Sequence, residues 1–337
     1  MKKLHVLFIV LAACTLYTCK QELIEVDPDI YIMGIRGNQY FFWKNFEPMP
    51  INTQYPPYEI SCVTIDGDDI YGYSCVADKD APSDPRKCHV TIWKNWQPIY
   101  SVQTTPFRAS TPPFAVRNGN IYFVGMTADS LPTLFVNGQP TPLSMRGLEF
   151  SSGYGKSCAA LGEDVYLHGV IGNISESYGH CNLNVLWKNG KIVATEMDVP
   201  HYHNFSLGIM ASEHYLYSCG IENGQYVIYK NDEKICTTIE EYKEDCGICL
   251  DGDDIYLMIA QLTPSTRITR IYKNGLLMNN LPETTFPCCL AAANESVYYV
   301  AYRKGKRILM KDGYPIYYLP EDMYIWLMFV KRKFVYK

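Results

Sequence analysis

With 337 residues, 47% hydrophobic and 19% charged, the chain has the composition of an ordinary globular protein, which excludes a disordered one. Its formal charge of −5, with Lys331-Arg332-Lys333 as the nearest thing to a basic patch, argues against nucleic-acid binding. The 28 tyrosines lean towards β structure, because tyrosine suits half-buried pleated surfaces.

The first element is an export signal. Lys2 and Lys3 precede an apolar run of about fifteen residues from Leu4, too short to span a bilayer comfortably. The stretch resembles the lipoprotein signals of Gram-negative bacteria, in which a cysteine after small residues is acylated and becomes the first residue. "LAAC", ending at Cys14, has the better-matched small residues. "LYTC", ending at Cys19, leaves a fuller apolar stretch and a polar Lys20-Gln21-Glu22 start. Cys19 is favoured, which divides the chain into a signal over 1–18, a short tether over 19–28 and one domain over 29–337. Removing the signal takes away two lysines and no acids, so the formal charge becomes −7. A plain secretory signal without lipid is the alternative.

From residue 29 onwards two markers recur. One is an aliphatic residue followed by tyrosine, at Tyr31, Tyr71, Tyr122, Tyr166, Tyr217, Tyr256 and Tyr298. The other is an aromatic or Met before an Asn-Gly-like turn: "FWKNF", "IWKNW", "LFVNG", "LWKNG", "IYKND", "IYKNG" and "LMKDG". Each marker covers 267 residues from first to last, or 44.5 per repeat, and two markers keeping one period identify a true internal repeat. Each unit reads as four strands. Strand a is short and apolar, strand b carries the tyrosine, and strand c ends at the aromatic. Asn-Gly then makes a type I′ turn into strand d, because both central residues of that turn need positive φ. Seven such units predict an all-β, seven-bladed β-propeller of four-stranded antiparallel blades. The aromatic before each turn is expected to pack between adjacent blades.

The first unit lacks a strand a, and the chain's end supplies an orphan one. Ile325–Val330 is therefore expected to complete blade one and close the ring, removing free edges. Phe334-Val335-Tyr336 resembles another strand b, which would begin an eighth blade; seven is the favoured number. "DGDD" at 66–69 and 251–254 falls where an a–b turn belongs and lacks the rest of a calcium loop. Of the 13 cysteines, 11 lie beyond Cys19, an odd number that leaves at least one thiol unpaired in an exported chain. "CGIC" at 246–249 has redox spacing but sits on a strand, where filling space as a small hydrophobe is the favoured role.

The pairing of "IYxxG" with "WKNG" resembles repeats in uncharacterised exported lipoproteins of Bacteroidetes that are regarded as propeller-like. The match covers nearly the whole mature chain, Asp29 to Tyr336. It implies the architecture and a lipid-anchored place in a Gram-negative cell envelope, and it brings no catalytic residue with it. WD40, kelch and sialidase-box patterns are absent, as are a Gly-x-Ser-x-Gly elbow and a His-Glu-x-x-His helix.

Function is expected on one face. From tyrosine to turn motif the units span 12, 22, 13, 21, 12, 16 and 12 residues, whereas the complementary interval varies only from 26 to 31. Insertions therefore fall in the b–c loops of units two, four and six, and repeat proteins often bind through the face bearing them. Unit four's loop holds Tyr178, His180 and Cys181, and the next d–a connection adds His201, Tyr202 and His203 on the same face. Asp80 and Asp84 of unit two's loop are weaker candidates. Imidazoles and a thiolate are transition-metal ligands. A polar, aromatic surface for a protein or glycan is nevertheless the favoured reading, and neither a metal nor a cofactor is expected. The expected function is that of a membrane-anchored, non-catalytic ligand- or protein-binding module. The alternatives are a propeller enzyme acting on extracellular glycans through paired carboxylates, and a structural part of an envelope assembly.

Overall fold

A computed structural model describes residues 23–37, 39–49, 60–77, 88–104, 114–126, 132–144, 150–175, 179–195, 208–241, 246–262, 267–281, 288–303 and 305–336. These form seven four-stranded antiparallel sheets, the blades of a propeller. Blade one holds β1 (Leu23–Arg36), β2 (Gln39–Lys44) and β3 (Glu47–Pro48). Blade two holds β4 (Ile60–Asp66), β5 (Asp69–Ala77), β6 (Cys88–Lys94) and β7 (Gln97–Thr104); blade three holds β8 (Phe114–Arg117), β9 (Asn120–Met126), β10 (Pro132–Val136) and β11 (Gln139–Pro142). Blade four holds β12 (Phe150–Leu161), β13 (Asp164–Ser175), β14 (Gly179–Lys188) and β15 (Lys191–Thr195). Blade five holds β16 (Gly208–Ala211), β17 (Leu216–Glu222), β18 (Gln225–Lys230) and β19 (Glu233–Glu241). Blade six holds β20 (Cys246–Asp251), β21 (Asp254–Leu262), β22 (Arg267–Lys273) and β23 (Leu276–Leu281). Blade seven holds β24 (Cys288–Ala293), β25 (Ser296–Arg303), β26 (Lys306–Lys311) and β27 (Tyr314–Leu319), and β28 (Met323–Tyr336) returns to blade one. Strands a lie against one another around the axis, as β28 does with β24 and β4.

The two sequence markers are the two faces of a blade. Every strand-b tyrosine packs against the following blade: Tyr31 among blade-two side chains, Tyr71 among those of blade three, Tyr298 among those of blade one. The residue before the c–d turn points the other way. Trp93 packs on blade one, Trp187 on blade three, Tyr272 on blade five and Met310 on blade six. A period-2 strand with one large residue per face cements its neighbours on both sides, so the apolar core is a series of inter-blade layers.

The c–d turns are type I′. Asn45, Asn95, Asn137, Asn189, Asn231, Asn274 and Asp312 all lie at φ between 46 and 51°, and the residue after each is also at positive φ. Asparagine tolerates this conformation, and glycine enters it without strain. Phe46 and Trp96 occupy the glycine position with bulky rings. Each is held by a ring of the preceding blade, Phe46 stacked on Tyr317 at 4.2 Å and Trp96 edge-on to Phe42 at 4.3 Å.

Closure follows the expected register. Ile325 stands opposite Gly34 and Val330 opposite Ile30, so β28 supplies strand a of blade one. One boundary is corrected, and the disfavoured eighth-blade alternative falls. Phe334, Val335 and Tyr336 begin no eighth blade; they continue β28 and pair with Glu25, Ile24 and Leu23. Residues 23–28 are consequently not tether but the start of β1. Lys331-Arg332-Lys333 lies within β28, with Lys331 reaching the Asp68 carbonyl and Arg332 reaching Asp251. Unit four's insertion also differs from a simple loop. It lengthens β13 and β14 into a hairpin paired as far as Ser175 opposite Gly179, because "VIGNI" and "CNLNV" keep the alternation that a ladder needs.

Candidate functional site

Antiparallel topology gives the ring two faces, one carrying the a–b and c–d turns and the other the b–c and d–a connections. The first is built from one repeated device. The Oδ1 atom of each turn asparagine, or of Asp312, accepts from the backbone N–H of strand b at 2.8–3.0 Å. Its own N–H returns a bond to the same residue's carbonyl. In four blades the asparagine Nδ2 also donates to the aspartate one residue earlier: Asp29, Asp69, Asp164 and Asp254. The lysine before each asparagine pairs with that aspartate at 2.6–2.8 Å and lies over the strand-b tyrosine ring, as Lys188 does over Tyr166 at 5.5 Å. Lysine and asparagine bonds hold the Asp69 and Asp164 carboxyls below the usual range. At Asp29 and Asp254 burial pushes upward, and the same bonds more than offset it.

Asp66, Asp251 and Asp253 of the "DGDD" stretches are inter-blade fasteners. Asp66 accepts from Gly119 N of blade three at 2.7 Å, and Asp251 accepts from Glu295 N of blade seven at 2.8 Å. Asp253 receives His214 of blade five at 2.8 Å. Among the described residues no group of three or more His, Cys, Asp or Glu side chains could hold a metal ion. Burial pushes the thiols of Cys62, Cys158 and Cys249 well above the ordinary range and that of Cys75 up to about 12, so none of these four is a ready thiolate. In the "CGIC" stretch, Cys249 is thus a filler in β20.

The b–c connections differ in length from blade to blade. Tyr178, His201, Tyr202, His203, Asp80 and Asp84 lie outside the described residues, as do Cys14 and Cys19. His180 lies in β14, its backbone opposite Ile174 at the b–c end of blade four. The described residues there expose four tyrosines on blades seven and one that the sequence reading missed. Tyr40, Tyr302, Tyr318 and Tyr324 are 41%, 42%, 61% and 60% exposed. Tyr324 and Tyr40 stand opposite the same residue, Ile35, on the two sides of β1. Trp326 is half-buried beside them, edge-on to Tyr40 at 5.9 Å, and its indole N–H donates to the Ile60 carbonyl at 3.3 Å. Gly34 makes this packing feasible, since a Cβ there would come within 2.2 Å of the Tyr324 carbonyl oxygen and collide with the Phe41 ring. At the rim Arg36 Nε donates to both carboxylate oxygens of Asp322, at 3.1 and 2.9 Å. "RGNQY" and "EDMYIW" hold the only sequence signal, aromatics at strand ends beside charged residues.

No protein-family profile matches the chain, and no curated protein matches its sequence. Solved structures do. A prolyl endopeptidase aligns with a TM-score of 0.51 at 10% identity, over 89% of this chain and 49% of its own, so this chain spans about half of that enzyme's length. The β-propeller domain of the Trilobed protease from Pyrococcus furiosus aligns at 0.46 and 9%, over 77% of this chain and 82% of that one. Dihydro-heme d1 dehydrogenase aligns at 0.47 and 9%, over 88% and 68%. At such identities the likeness carries the fold and no activity: the chain is a seven-bladed β-propeller.

Proposed function

We propose that the protein is an exported, lipid-anchored propeller that serves as a non-catalytic ligand- or protein-binding module through its b–c face. The observation that carries this reading is the asymmetry of the two faces. All seven c–d turns repeat one hydrogen-bonded pattern. The b–c connections instead run from two residues, Asn223-Gly224, to the ten of 78–87. A surface released from the repeat is where such a protein differentiates its contacts.

The likeness of residues 1–22 to a lipoprotein signal, and of the repeat to exported Bacteroidetes lipoproteins, supports an envelope location with acylation at Cys19. Three residues, and so four residue-to-residue steps, separate Cys19 from Leu23, where β1 starts on the a–b face. At about 3.5 Å per residue that tether reaches no more than about 14 Å. The a–b face would then lie against the lipid, with exposed Phe334 and Val335 of β28 on that side, and the b–c face would point away. Several acyl chains would make the anchoring stable, since one holds only weakly. Mass spectrometry of the N-terminal peptide tests the anchor, and retention of proteins or glycans by variants of each face tests the module. Acyl chains are expected on Cys19 and lost in Cys19→Ala. Acylation at Cys14 would move the site, and an unacylated product would remove the anchor.

A further inference from the structure

We propose that Tyr40, Trp326 and Tyr324 form a carbohydrate subsite in which the two tyrosines take alternate rings of an extended oligosaccharide; this rests on the b–c face being the binding surface and names its ligand class. Both tyrosines face Ile35 across adjacent strands. Two strand spacings of about 4.8 Å put their Cβ atoms about 10 Å apart, close to the length of a disaccharide. Half-buried Ile35 lies between them, and Trp326 is fixed by its bond to Ile60 before any ligand arrives. Rigid aromatic side chains lose little entropy on binding, so the platform is preorganised.

The side-chain chemistry favours sugar over a protein partner. Among the described residues, the four exposed large hydrophobic ones at the b–c ends of these blades are all tyrosines. Exposed aliphatic residues lie away from those ends, with Leu276 and Leu277 at the c–d end of blade six and Ile316 midway along β27. A pyranose ring offers an apolar C–H face bordered by hydroxyls, and tyrosine offers a π face bordered by a hydroxyl. The exposed Arg36–Asp322 pair stands one residue from Ile35 and supplies planar donors and acceptors suited to vicinal hydroxyls.

The test is titration calorimetry of the full mature chain against cello-, xylo-, manno-, chito- and maltotetraose. At least one tetrasaccharide is expected to bind wild type, and its disaccharide more weakly. Tyr324→Ala and Tyr40→Ala should each weaken binding about tenfold, while Tyr324→Phe stays within about twofold because the stacking face survives. Tyr318→Ala should change nothing, since Tyr318 pairs with Ile308 on the blade-six side. Thermal melting of each variant separates lost binding from lost folding. Binding that survives both alanine substitutions would overturn the subsite and leave the module reading standing. Failure of wild type to bind any of the five would overturn the carbohydrate assignment and leave a protein partner for that face.

Discussion

Arg332 Nε donates to Asp251 Oδ1 at 2.8 Å, tying the closing strand of blade one to strand a of blade six. The Asp251 side chain is 3% exposed, and its second oxygen takes the Glu295 N–H of blade seven. One carboxylate thus links three blades beside the closing ladder. Removing the arginine leaves a nearly buried charge without its counter-ion, so Arg332→Met should cost about 2 kcal/mol. Urea denaturation checks this, and a loss below about 0.5 kcal/mol would put the pair among weak surface contacts.

Closure itself should matter far more. Deleting residues 323–337 removes strand a of blade one and exposes the edge of β1. The truncated chain should melt much lower or fail to accumulate as soluble protein. An unchanged melting temperature would refute closure by β28.

The turn asparagines should be graded by backbone and side-chain roles. At Asn189, φ is 50° and Oδ1 accepts from Val165 N at 2.8 Å. Glycine keeps the conformation and loses the bonds, while alanine loses both. Asn189→Gly should cost about 1 kcal/mol and Asn189→Ala about 2 kcal/mol. Equal losses in chemical denaturation would deny the backbone its share.

Acid should loosen the a–b face. Asp29, Asp69, Asp164 and Asp254 are all depressed in the folded state by lysine and asparagine bonds. A depressed carboxylate contributes stability fully above its unfolded value of about 3.9, and loses it as pH falls through the folded value. Melting temperature should therefore decline below about pH 4. An Asp69→Asn/Asp164→Asn variant should decline less between pH 5 and 3; a decline as steep as that of wild type would contradict the linkage.

Blade number and turn type were legible because each is set locally, and the closing strand was legible by elimination. Asn-Gly at a hairpin needs positive φ, the strand-b tyrosines and pre-turn aromatics occupy opposite faces of a period-2 ladder, and Ile325–Val330 had no other place to pair. Long-range pairings were not legible. Nothing local says that Phe334 pairs with Glu25, or that Arg332 finds Asp251. The "IGNIS" and "HCNLN" stretches read as loop because their polar and small residues mask an alternation that a long hairpin tolerates. The exposed platform was hidden for a related reason, since Tyr40 precedes a run of buried aromatics and Tyr324 a run of core residues. Only the register across β1 brings them to one row.

The division of labour between the faces is tested most directly by one paired measurement. Affinity for a retained ligand and melting temperature are recorded for Tyr40→Ala and Tyr324→Ala on the b–c face, and for Asn95→Ala and Asn189→Ala on the c–d face. The b–c variants should lose binding and melt within about 2 °C of wild type, whereas the c–d variants should melt lower and keep their affinity. Affinity lost through the c–d variants and untouched by the b–c ones would contradict the account.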